Sequence, residues 1–504
     1  MNQFDWIAKW ALYNEEAKAV KEFETGKELT YGQLNRIANR VSSVFLNEYK
    51  LKKGDRVAVL AENCSEYIIL FSVMQKTGLV LVPLNFRLTS PELNYILENA
   101  EASLVITETK FLEKITATDA YNSVKNKLIL KDFEIICARG NDNHAPDFKS
   151  ARLNENDPLF ILYTSGTTAF PKGAIYTHKM LFWNSINTEI RLDITSSDIS
   201  LDAAPPFHTG FWNVLLTPFI HHGAYTILMK NFDAENVLNL IEKEKLTIWW
   251  AVPTMLKMIS ETSLFEQTDI SNLRYMVVGG EAMPIPLIKK WHSKNVPIRQ
   301  GYGLTEVGPN ITSLPEKDAI TKQGSIGTPN FYVETKIVDD KGNEITGSGG
   351  GELLLKGPNV TPGYWKNDEA TENTIVDGWF HTGDVVSRDD DGYFYVIDRI
   401  KNMYISGGEN VYPAEVEHLI RKLPGINDLI IIGVPDEKWG EAGKAFIVKE
   451  KDIQINEKDI LDYCRANLAK YKIPKYVEFI DELPKNDAGK VDRKKLKQQD
   501  SDIS

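Results

Sequence analysis

The feature that most constrains this chain is an alternation, early in its length, of short apolar runs rich in β-branched residues with longer amphipathic segments. Arg56 to Leu60, Val80 to Pro83 and Ser103 to Thr107 read as buried strands, and Tyr31 to Asn47 and Cys64 to Lys76 read as helices between them. Strands joined through helices line up in parallel rather than as hairpins, and such sheets need helices over their faces. The texture resumes from Asp198 to Val278, with a further buried strand expected over Thr247 to Val252. The expected fold class is therefore α/β, with a large N-terminal domain of helix-covered, mostly parallel sheets.

From about Ser325 the pattern changes. Gly347 to Gly351 is a turn cluster, and Gly351 to Lys356 and Tyr393 to Ile397 read as short strands of a small β-rich subdomain. An amphipathic segment, Pro413 to Leu423, and a strand, Leu429 to Val434, then belong to something new. A boundary is expected at 399–402, leaving residues 1–398 as the N-terminal domain and 403–504 as a small α+β C-terminal domain. The tail from Lys485 is rich in lysine and polar residues, and its last dozen residues are expected to be disordered.

A formal charge of −12 argues against nucleic acid or an acidic membrane as a general partner, so an anionic ligand must meet a local positive site. The 3 cysteines, Cys64, Cys137 and Cys464, are scattered, which fits a reducing cytoplasm and offers no metal knuckle. Met1 to Trp10 lacks the order of a signal peptide. The apolar stretch Gly210 to Met229 is broken by Asn213, Pro218, His221 and His222, so it reads as a buried helix followed by a strand, not a membrane span. His221 and His222 have no third ligand at metal spacing and read as structural.

The segment Tyr163-Thr164-Ser165-Gly166-Thr167-Thr168-Ala169-Phe170-Pro171-Lys172-Gly173 follows the apolar run Leu159 to Leu162. A strand followed by a flexible loop of small residues lets backbone N–H groups converge on an anion; the hydroxyls of Thr164, Ser165, Thr167 and Thr168 add donors and Lys172 adds a charge. The order is not that of a Walker A loop.

This loop resembles the phosphate loop of the adenylate-forming superfamily, which comprises acyl-CoA synthetases, aryl-CoA ligases, luciferases and the adenylation domains of peptide synthetases. Six more segments agree in order: Pro206-Phe207-His208-Thr209-Gly210, Gly301-Tyr302-Gly303-Leu304-Thr305-Glu306, Trp379-Phe380-His381-Thr382-Gly383-Asp384, Asp398-Arg399-Ile400-Lys401, Ser406-Gly407-Gly408-Glu409-Asn410-Val411-Tyr412-Pro413 and Pro484-Lys485-Asn486-Asp487-Ala488-Gly489-Lys490. The texture is closest to bacterial medium- and long-chain fatty acyl-CoA synthetases. One departure stands in the phosphate loop, where the family usually has Gly and this chain has Ala169.

The resemblance implies ATP, Mg²⁺ and coenzyme A as the small molecules used, and a carboxylic acid activated as an acyl-AMP before transfer to a thiol. It assigns catalysis to Lys490, His208, Thr305, Glu306 and Lys172. A hard carboxylate oxygen of Glu306 suits Mg²⁺, and Thr305 would hydrogen-bond the α-phosphate. Nucleotide contacts are implied for Thr164, Ser165, Gly166, Thr167, Thr168 and Lys172; for Gly280, Glu281 and Ala282 on the adenine side; and for Gly301, Tyr302 and Gly303. Asp384 and Arg399 would hold the ribose. Lys401 matches the hinge of a mobile C-terminal domain, Gly407 and Gly408 would admit the pantetheine arm, and Lys490 matches the adenylation lysine. The acid pocket falls to His208, Gly210, Phe211, Trp250 and Gly303, with Trp212, Leu215, Trp249 and Val252 as further apolar walls. A fatty acid is favoured over an aryl acid of the benzoate or coumarate type. A stand-alone enzyme loading a carrier protein, a non-catalytic nucleotide-binding module and a homodimer stay open.

Overall fold

A computed structural model describes residues 3–139, 148–164, 171–280, 283–406, 409–450, 453–468, 470–485 and 491–503. The chain divides into two compact units: Met1–Thr335 with Leu355–Phe380, and Lys336–Leu354 with His381–Ser504. The expected 403–504 domain lies wholly within the second unit, which also takes in β-rich chain before it.

In the first unit, a six-stranded sheet has the spatial order Asn126–Ile129, Ala102–Thr107, Arg56–Leu60, Val80–Pro83, Pro158–Thr164, Lys172–Thr177. The first five are parallel, and the last is a hairpin partner that returns antiparallel, with Thr164 opposite Lys172. The expected helices form because their ends are written locally. Tyr31–Asn47 starts at a capping box in which Thr30 and Gln33 satisfy each other's backbone N–H groups. Ser65–Thr77 is buried along its whole length and stops at Gly78, whose φ of +72° only glycine adopts freely.

Two further sheets complete this unit. One orders Glu28–Thr30, Lys18–Glu22, Tyr225–Leu228 and Ile199–Asp202. The other runs Ile248–Ala251, Tyr275–Val278 and Ile298–Tyr302 in parallel, then adds two short antiparallel strands. The stretch from Gly210 is the expected helix and strand: helical turns over Phe211–Leu216 and Thr217–His222, then Tyr225–Leu228. No described helix is long and apolar enough to cross a membrane.

In the second unit, a five-stranded sheet is built on the long hairpin of Ile426–Asp436 with Gly440–Lys449, and the helix Pro413–Ile420 packs on it. The expectation of a disordered tail fails. Residues Arg493–Ile503 form a helix whose first N–H groups are capped by Asp492, and Leu496 is buried against Ile430, Ile432 and Phe446. One apolar side chain at the right place, with Arg493 paired to Glu417 at 2.9 Å and Lys444 to Asp500 at 2.5 Å, outweighs a composition that is otherwise polar.

The histidine pair is structural. His221 stacks on Trp6 with ring centroids 4.0 Å apart and exchanges a 2.8 Å hydrogen bond with Ser185. Burial, with His222 and Lys9 adding to it, pushes its imidazole from 6.5 down to about 3. A ring kept neutral in the fold but free to protonate once unfolded lends stability that is full above 6.5 and is lost as pH falls toward 3. His221→Phe keeps the stack and removes the titration. Its melting temperature should therefore drop less than the parent's between about pH 7 and about pH 5; equal drops in a thermal melt would exclude His221 as a source of acid lability.

Candidate active site

The hairpin of Pro158–Thr164 with Lys172–Thr177 fixes both ends of the expected phosphate loop, whose Ser165, Gly166, Thr167 and Thr168 lie outside the described residues. Around its ends stand three of the expected groups. The Thr164 hydroxyl donates to Glu306 Oε1 at 3.4 Å. The Lys172 ammonium lies 5.3 Å from the ring centroid of Tyr364, and the Tyr364 hydroxyl donates to the same Glu306 oxygen at 3.0 Å.

Glu306 is carried there by a short helical turn, Thr305–Val307, that follows the strand Ile298–Tyr302. The turn is anchored from a distant stretch of chain. Thr361 N–H donates to the Glu306 carbonyl at 2.7 Å, and the Asn359 amide donates to the Val307 carbonyl. The same stretch is stitched to the loop hairpin, since Ile175 N–H donates to the Gly363 carbonyl and Trp365 N–H to the Gly173 carbonyl. Gly301, Tyr302 and Gly303 lead into the turn. Gly303 is there for packing: a Cβ on it would sit 2.2 Å from the Pro309 carbonyl oxygen. At the loop expected on the adenine side, Gly280 takes a φ of +86°, while Glu281 and Ala282 lie outside the described residues.

The expected acid-pocket residues are partly together. Gly210 and Trp250 touch, so closely that a Cβ on Gly210 would meet the indole at 2.7 Å. His208 precedes them, its ring 4.6 Å from that of Phe207. Phe211, Trp212 and Trp249 are fully buried in hydrophobic cores, so they back the region as packing. Buried Asp202 ends its strand beside Trp250. One of its oxygens accepts from Ala204 N–H at 2.9 Å, and the Trp250 indole N–H lies near the carboxyl without reaching hydrogen-bonding geometry. Burial holds that carboxyl well above the usual carboxylate range.

In the second unit Asp384 and Arg399 face each other across two antiparallel strands, and Arg399 Nε donates to Asp384 Oδ1 at 2.9 Å. The Asp384 turn is itself clamped. Glu352 accepts from Gly383 N–H at 3.1 Å and meets His381 at 3.1 Å, while the Thr382 hydroxyl donates to the Leu353 carbonyl and accepts from Asp384 N–H. Lys401 lies in a short helical turn, Ile400–Asn402. Gly407, Gly408 and Lys490 lie outside the described residues.

The model of the AMP-binding enzyme family matches residues 7–365, and that of the AMP-binding enzyme C-terminal domain matches residues 415–490. The chain belongs to the AMP-binding enzyme family. Curated relatives of this AMP-binding enzyme include a feruloyl-CoA synthase of an Amycolatopsis species, 37% identical over 96% of each chain. Another is the long-chain-fatty-acid–CoA ligase FadD13 of Mycobacterium tuberculosis, 36% identical over 99% of each chain. Among solved structures, ATP-bound MatB from Rhodopseudomonas palustris superposes with a TM-score of 0.91 at 30% identity, covering 100% of both chains.

Sequence reasoning missed Tyr364, Thr361, Asn359 and Glu352. The signal was a dense turn, Thr361-Pro362-Gly363-Tyr364-Trp365, followed by a helix start. In this AMP-binding enzyme the lack of space at Gly303 gives a direct test. Gly303→Ala forces the Thr305–Glu306 turn away from Pro309 and should cost about 1–3 kcal/mol of stability. Adenylation should fall with it. An unchanged thermal melt would show that the turn relaxes freely.

Proposed function

We propose that this chain, an AMP-forming acid–thiol ligase by its family, activates a medium- or long-chain fatty acid as an acyl-AMP and passes the acyl group to coenzyme A in the cytoplasm. The observation that carries the reading is the convergence of Thr164, Lys172 and Glu306 at the ends of the loop hairpin. A carboxylate oxygen of the acid attacks the α-phosphorus of ATP, and pyrophosphate leaves. The thiol sulfur then attacks the acyl carbonyl, and AMP leaves. Lys172 offers the phosphates a cation at the mouth of the loop, Thr305 a hydroxyl, and Tyr302 an aromatic face to adenine. Asp384 accepts from the ribose hydroxyls, a task for a two-oxygen acceptor. Lys490, carried over from the family motif, places a cation between carboxylate and α-phosphate, where it stabilises the charge of the transition state.

The residues suit Mg²⁺. Among the described residues no three of His, Cys, Asp and Glu stand together as a metal cage. A single carboxylate beside hydroxyls fits an ion that takes most of its shell from phosphates and water. Glu306 is the residue that would hold it, and the ion would supply positive charge to offset that of the phosphates.

For the acid, support comes from the hydrophobic cores against which Trp250 packs, Asp202 apart, and from the absence of an acidic residue at Phe207-His208, where an ammonium group would need one. The close contact of the Trp250 indole with Gly210 favours a second reading, an aryl acid, which the feruloyl-CoA synthase relative also supports. Pyrophosphate release over a panel of fatty and aryl acids, with and without coenzyme A, decides among these. Turnover of fatty acids that requires coenzyme A is expected. Preference for cinnamate-type acids would establish the second reading, and a single turnover unaffected by coenzyme A would point to a carrier protein.

The two half-reactions should separate. Lys490→Ala should cut acyl-AMP formation by about a hundredfold or more while thioester formation from supplied acyl-AMP survives. Lys401→Pro, which fixes φ at the proposed hinge, should do the reverse and slow thiol transfer. Single-turnover kinetics of each step give the answer; parallel losses in both variants would exclude a hinge-divided cycle.

A further inference from the structure

Glu306 and Lys172 carry opposite charges near one phosphate loop, and left to themselves such groups pair. Among the described residues Lys172 forms no ion pair; its ammonium rests instead over the ring of Tyr364, 5.3 Å from the centroid. The hydroxyl of that same tyrosine donates to Glu306 Oε1 at 3.0 Å. Tyr364 is itself held firmly. It is 9% exposed, bridges to Ala174 in the loop hairpin, and donates its backbone N–H to the Thr371 hydroxyl at 3.0 Å. Its neighbours Gly363 and Trp365 hydrogen-bond to the strand that begins at Lys172. One rigid side chain thus contacts both charged groups, with a different part of its surface for each.

We propose that Tyr364 is a positioning residue that holds the loop lysine on its π face and aims the metal-binding carboxylate with its hydroxyl, keeping the two charges apart before the nucleotide arrives. The inference rests on the reading of Glu306 as the Mg²⁺ ligand. A cation over an aromatic face is attracted without being neutralised, so Lys172 remains available to a phosphate. A neutral hydroxyl donor fixes the carboxylate oxygen it touches while leaving the negative charge for the metal.

The test is the Mg²⁺ dependence of ATP binding, followed by calorimetry on the full-length protein, so that no turnover is needed. Tyr364→Phe keeps the ring and deletes the hydroxyl. It should raise the Mg²⁺ midpoint about threefold to tenfold, in the direction of Glu306→Gln, and leave metal-free ATP binding unchanged. Tyr364→Leu removes the ring as well and should also weaken metal-free ATP binding, because Lys172 loses its support. If Tyr364→Phe titrates like the parent while Glu306→Gln is shifted, the positioning role is wrong. If Glu306→Gln also titrates like the parent, the metal reading itself fails and takes this one with it. A merely structural tyrosine would lower the melting temperature of both Tyr364 variants without moving the Mg²⁺ midpoint, and that result too would overturn the proposal.

Discussion

The register of one hairpin underlies the arrangement at this site. Because Thr164 lies opposite Lys172, the last residue before the phosphate loop and the first charged residue after it are fixed to within a hydrogen bond of each other. The sheet supplies the rigidity: four parallel strands, buried between helices, hold Pro158–Thr164 in place. Within the first unit, the Glu306 turn is referred to that pair. The stretch from Asn359 to Trp365 grips the hairpin on one side and the Glu306 turn on the other, so the turn inherits its position from the sheet through hydrogen bonds to its backbone, and the carboxylate it carries is met by the Tyr364 hydroxyl. Such bonds, made by the buried Asn359 and Thr361, are costly to break and therefore keep geometry.

Much of this was legible in the residues because burial on both faces leaves a plain mark. Arg56–Leu60, Val80–Pro83 and the helix Tyr31–Asn47 were each anticipated to the residue, since continuous apolar runs and an amphipathic stretch are local patterns; the Thr30–Gln33 cap that starts the helix came only with the structure. Glu306, Asp384 and Arg399 were legible as motif members, though not their partners. Tyr364 escaped notice because its role depends on two contacts made across 58 and 192 positions of chain, which no local pattern encodes. The terminal helix escaped for the opposite reason: its average composition is that of a solvated tail, and a single buried leucine with an aspartate cap decides the matter.

Contacts group the chain differently from its texture. A change of texture near Ser325 marked the β-rich region, but its strands from Lys336 to Leu354 belong with the C-terminal unit, where composition gave no reason to join them. Strand partnership is a long-range property, and short polar strands carry little periodic signal of which neighbour they will choose.

The contact between Gly210 and Trp250 bears on how such a chain diversifies. Glycine is the one residue that leaves the indole where it is; alanine, serine or valine, each a single base change from a glycine codon, would have to push the ring aside. Under the proposed reading of the pocket, position 210 then acts as a one-step adjuster of pocket depth, leaving the phosphate hairpin and the Glu306 turn untouched. Under that same reading, a one-base change at codon 210 would alter the space beside Trp250 and nothing in the sequence of the phosphate hairpin.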